Sequence, residues 1–267
     1  MKIQKPPAWF IPTLSAILSI LGIIVSVFLS SVVAENKAAQ ERKRTYAREK
    51  TQVRLSVREL RTALAKIDSA DPFPPGFLNE DFLYGQPARP AVPTRDDPYY
   101  QKYDLVDTVY RLCALFGWME FYRRDPSFLN GPTKEKTAIE QHFRGIRKAF
   151  GDEFSDEKRK AGVNWIDGFI LEDDQRAIGE TMLETDKESR GSIMGYGAFC
   201  GRLFRIPKRE DPIGNYESSQ NYWVWNATRF IVELGRKETT ADFRRERIKK
   251  VIAELDELSR VLDTESH

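Results

Sequence analysis

The order of apolar and polar positions divides the chain into four kinds of stretch. These are an unbroken apolar run, a heptad pattern, a proline-rich break and a series of helical periodicities. From Trp9 to Ala34 no charged residue occurs. At about 1.5 Å of rise per residue, a helix of that length crosses a hydrocarbon core of about 30 Å. Inside lipid the backbone must satisfy its own hydrogen bonds, so the run is expected as a single transmembrane helix over 9–34, with 1–8 a short extracytoplasmic segment. Trp9 and Phe10 suit the headgroup boundary. The rival reading is a cleaved signal peptide, with Lys2 and Lys5 as its basic start and Val32-Val33-Ala34 as its cleavage site. The run is longer than the ~7–15-residue core of such peptides, and basic residues follow it, so retention as an anchor is the expectation.

Residues 35–70 carry a short heptad seam. Ala39, Tyr46, Val53, Leu60 and Ile67 recur every seven positions, Val57 and Leu64 occupy the second core position, and Lys43 and Lys50 weaken it near the span. This predicts a juxtamembrane coiled-coil-like helix whose seam meets a second copy of itself, with packing on its own domain as the alternative. Residues 71–97 hold Pro72, Pro74, Pro75, Pro87, Pro90 and Pro93, which stop a helix and favour extended chain. They form a connector to a helical cytoplasmic domain over 98–267.

That domain opens at Asp97-Pro98, a cap followed by proline at the first helical position. Its first helix runs to Arg124 and is apolar on nearly all sides, the mark of a central, buried helix. Further helices are expected over 133–150, 155–166 and 172–185. Another begins near Ser218 and stops at Gly235, and the last runs from Asp242 to Leu262. In the last, Ile248, Val251, Leu255, Leu258 and Leu262 form a second seam, a fitting partner for the 35–70 helix. No sustained period-two stretch occurs, so the fold class is mostly α.

Charge adds a direction. Lys2 and Lys5 precede the span, while Lys37, Arg42, Lys43, Arg44, Arg48, Lys50 and Arg54 follow it. Basic flanks stay cytoplasmic, which places the N-terminus outside and the large domain inside the cell membrane. The 42 Lys and Arg nearly balance 40 Asp and Glu, a net charge of +2 that argues against nucleic acid as a partner. The two cysteines, Cys113 and Cys200, agree with a reducing compartment. An aromatic content of 12% argues against disorder.

Candidate chemistry is sparse. Ser15, Ser19, Gly22, Ser26 and Ser30 put small residues on one face of the span, where two membrane helices can approach closely. His142 is the one internal histidine, and no nucleophile stands at a recognisable spacing from it. Asp173, Glu180 and Glu184 share a helical face and offer oxygens suited to Mg²⁺, against the simpler reading of a solvated acidic face. The stretch GSIMGYGAFCGRLFR, with Gly195, Gly197, Arg202 and Arg205, offers backbone N–H groups and guanidinium groups to a phosphate. It lacks GK[ST] and a preceding strand, so close helix packing or a turn is the competing explanation. No cofactor is implied.

These features point to a single-pass membrane-anchored interaction or scaffold protein, self-associating, with the lipid bilayer and a protein as partners. The alternative is a membrane-tethered sensor or enzyme for a phosphate-bearing ligand bound by Gly195–Arg209.

Overall fold

The computed structural model describes residues 10–69, 98–124, 133–151, 169–183, 192–203, 224, 227–228, 230–231 and 243–264. Of residues 10–24, 69, 98–102 and 243–245 it describes the backbone alone. Six helices account for most of the described residues: α1 (Phe10–Ser69), α2 (Pro98–Arg124), α3 (Thr133–Gly151), α4 (Glu172–Met182), α5 (Tyr196–Leu203) and α6 (Phe243–Asp263). The mostly α class expected from the periodicities is observed. The helix expected over 155–166 and the connector over 71–97 lie outside the described residues.

The chain divides into two compact units, Met1–Arg48 and Glu49–His267. In the first, the described side chains of α1 begin with Val25, and Val27, Phe28 and Val33 are 62, 66 and 63% exposed. Ser30 and Ser31 turn their hydroxyls back onto the Val27 and Phe28 carbonyls, at 2.8 and 2.9 Å. Among the described residues no helix is long and apolar enough to cross a membrane. The expected span lies outside the described side chains over 9–24, and so do Ser15, Ser19 and Gly22 of its small-residue face.

In the second unit the heptad seam has a partner other than the one expected. Val53, Val57, Leu60, Leu64 and Ile67 are buried within the chain's own domain. Ion pairs beside the seam tie α1 to α6. Arg58 meets Asp263 at 2.7 Å and Arg61 meets Asp256 at 3.0 Å, so α1 and α6 run antiparallel. Lys50 extends the series, reaching the Thr264 carbonyl at 2.8 Å and Glu135 of α3 at 2.5 Å.

The central helix is α2. Leu105, Val106, Leu112, Ala114, Leu115, Trp118 and Phe121 are buried around its full circumference, which explains a sequence greasy on every side. Phe116 stacks edge-on against Phe150 of α3, and Phe150 against Phe230, each pair with ring centroids 5.5 Å apart. Phe230 belongs with buried Val224, Ala227 and Ile231, helical positions inside the stretch expected to begin near Ser218.

Two elements differ from the expected pattern. The α4 helix ends at Met182, short of 185, because Leu183 is extended and bridges to Ile193. The Met194 N–H then donates to the Met182 carbonyl at 2.8 Å. Part of the glycine-rich stretch, for which close helix packing, a turn or a phosphate loop was expected, forms helix α5. Phe199 and Leu203 are buried, and Tyr110 of α2 packs on Tyr196 and Phe199 with centroids 5.3 and 5.4 Å away.

Candidate functional site

The C-terminal turns of α2, one face of α3 and the first turn of α4 enclose an open cleft of about 1020 Å³. On α3 the lining residues are Glu140, Phe143, Arg144, Arg147, Lys148 and Gly151, spaced by three and four, so one helical face supplies them all. Phe143 is buried against Tyr122 of α2, ring planes at 90°, and this pair forms the floor with Met119. Glu172, Asp173 and Asp174 stand opposite, at the N-terminal end of α4 where acids complement the helix dipole.

Gln175 sets the width of the cleft. It is buried, and its amide nitrogen donates to the carbonyls of Arg147 at 3.0 Å and Ile170 at 2.6 Å. The end of α3 is thereby tied to the start of α4. Behind the same end, buried Arg247 of α6 donates to the Ala149 and Phe150 carbonyls at 3.0 and 3.1 Å. It answers the unpaired carbonyls and the negative end of the α3 dipole together. Its guanidinium also lies 4.0 Å above the Phe169 ring.

Below the cleft, Glu120 is the buried anion of α2. Arg123 donates to both of its oxygens, at 2.9 and 2.5 Å. Arg124 bonds Glu120 and reaches on to Glu180 of α4. Burial alone would raise the Glu120 carboxyl, but the hydrogen bonds and charges of Arg123 and Arg124 outweigh it and hold it below the ordinary glutamate range. Burial pulls the Arg147 guanidinium below its usual value, with the charges of Glu172 and Glu120 opposing. Burial likewise raises Asp174, against a hydrogen bond from the Leu171 backbone.

The residues singled out from the sequence do not converge on one place. Asp173 is 95% exposed and 3.7 Å from Arg176, and Glu180 is taken up by Arg124. Glu184 lies outside the described residues, and among those described no group of three or more His, Cys, Asp or Glu is placed to hold a metal ion. Gly195 and Gly197 face open space, so close packing does not require them. Arg202 donates to the Thr181 carbonyl at 3.1 Å, and Arg205 lies outside the described residues. His142 meets Glu254 at 2.9 Å, the carboxylate lying over Gly145.

The basic row Arg144, Arg147 and Lys148 was not singled out in advance. Its signal in the sequence is three cations on the same helical face as Phe143, an apolar residue that has to be covered. Comparison of the chain with protein-family models, with curated proteins and with solved structures found no match.

Proposed function

We propose that this chain is a single-pass membrane-anchored protein whose helical domain, on the cytoplasmic side, works by binding other molecules. The observation that carries the reading is the stretch of α1 from Val25 to Val33, where large apolar side chains are uncovered on every side. Such a surface is costly in water at roughly 25 cal/mol per Å² and is at rest in hydrocarbon. It continues, without a charge, the run that begins at Trp9. The serine hydroxyls bonded back to their own helix fit the same setting, since no water is needed to satisfy them.

The basic residues from Lys37 to Arg48 set the proposed sidedness. Self-association, where it occurs, falls to the small-residue face through Ser26 and Ser30, because the Val53–Ile67 seam is already occupied by the chain's own domain. Alkaline carbonate extraction of vesicles carrying the full chain tests the anchor. Retention in the pellet supports it, and release into the supernatant with peripheral proteins refutes it.

A further inference from the structure

We propose that the α3 face of the cleft is a binding site for a phosphate-bearing small molecule with two or more negative charges, held by Arg147 with Arg144 and Lys148. This is a site distinct from the glycine-rich stretch, and it is independent of the membrane reading.

The cleft contains ions of both signs, but they are not equally engaged. Its carboxylates each have a partner close by in the chain, Glu172 and Asp173 sharing one. Glu140 is 3.8 Å from Lys136, Glu172 and Asp173 are 3.8 and 3.7 Å from Arg176, and Asp174 accepts from the Leu171 backbone. Arg123 is bound to Glu120. Arg144, Arg147 and Lys148 have no carboxylate within ion-pair distance among the described residues. Lys136 and Arg176 balance two of these four carboxylates, and the remaining two face the three cations of α3, so the cleft keeps a small positive excess, carried by one face of α3.

Arg147 is the strongest part of the case. Four described arginines are buried or half-buried: Arg54, Arg111, Arg147 and Arg247. Arg54 has Asp263 at 3.5 Å, Arg111 has Asp107 at 2.7 Å and Glu59 at 3.0 Å, and Arg247 has two helix-end carbonyls. Among the described residues Arg147 alone of the four is partly withdrawn from water with no side-chain hydrogen bond or ion pair, although the charges of Glu172 and Glu120 act on it from farther away. A partly desolvated cation left unpaired is unfavourable by itself, and the planar guanidinium fork matches a phosphate through two parallel N–H donations. Arg144 and Lys148, one turn before it and one residue after it, add charge that favours a dianion over a monoanion. Burial lowers the Arg147 pKa by more than the charges of Glu172 and Glu120 raise it. At about 1020 Å³ the cleft has the capacity for a molecule of nucleotide size.

The test uses the full chain in nonionic micelles and three probes: inorganic pyrophosphate, ADP and dihexanoyl phosphatidic acid, with dihexanoyl phosphatidylcholine as control. Titration calorimetry should show saturable binding, weakened at least tenfold in Arg147→Gln and in Arg144→Gln/Lys148→Gln and unchanged in Arg260→Gln. Preference for pyrophosphate or ADP identifies a free phosphate ligand; preference for the phosphatidate identifies a lipid headgroup. The double variant changes only exposed side chains, so it decides the matter even where Arg147→Gln melts early. No saturable binding of any probe, or binding that ignores both variants, overturns the proposal.

Discussion

The backbone of Gly179 rests against the carbonyl oxygen of Phe116: a β-carbon at 179 would stand 2.5 Å from that oxygen and 3.0 Å from the Glu120 β-carbon. This contact seats α4 on α2 and brings Glu180 within reach of Arg124. The obstacle at 179 is backbone, which cannot turn aside. Gly179→Ala should therefore cost about 2–3 kcal/mol in denaturant unfolding, the range of overpacked cores. Gly197→Ala, facing open space, should cost nothing and gain slightly from helix propensity. Equal effects at the two sites would contradict the packing described.

The seam of α1 gives a second prediction. Leu60 and Leu64 are fully buried in the chain's own domain. Leu60→Ala should destabilise that domain by about 3 kcal/mol, the cost of a large-to-small change in a core. The unfolding midpoint should not depend on protein concentration. A midpoint that rises with concentration in the wild type and not in the variant would mean that the seam serves a second copy.

Acid should loosen the α2–α4 contact through Glu120. Its folded carboxyl titrates below its unfolded counterpart, so its stabilisation is complete above the unfolded value of about 4.3. It is lost as the pH falls through the lower folded value. Glu120→Gln should remove about 2 kcal/mol at neutral pH, a buried-pair loss reduced because Arg123 and Arg124 remain half exposed. The stability curves of variant and wild type should converge in acid, and a constant gap would exclude Glu120 as the titrating group.

The two thiols should label in sequence. Cys113 is buried in α2, and burial pushes its pKa far up. Cys200 is half-buried, and burial raises it too, against a hydrogen bond with Tyr196. Thiolate is the reactive form, so a maleimide should modify Cys200 slowly, faster as the pH rises, and Cys113 only after denaturation. Prompt labelling of Cys113 in the native protein would contradict the burial of α2.

Much of the fold was legible because single residues mark its boundaries. Asp97-Pro98 starts α2, Gly131-Pro132 precedes α3, and the steps from Ile248 to Leu262 lay out α6. The α5 helix was not legible, because Gly195, Gly197 and Gly201 lower helix propensity. Its formation is driven by Tyr196, Phe199 and Leu203 packing beneath them, a tertiary gain invisible in a local window. The seam shows the opposite limit: a heptad reveals that a stripe is buried, not whose surface buries it. The cleft was hidden for a related reason. Arg144, Arg147 and Lys148 read as a solvated helical face until Gln175 draws α4 up beside them.

Collision accessibility of a nitroxide at position 28, in vesicles, compared with one at position 37, tests the anchor most directly. With Cys113→Ala and Cys200→Ser as background, Phe28→Cys carries one label and Lys37→Cys the other. A lipid-facing Phe28 site collides with oxygen and is shielded from a water-soluble nickel chelate, while the Lys37 site shows the reverse. Water-like collisions at both sites would contradict a membrane-embedded α1.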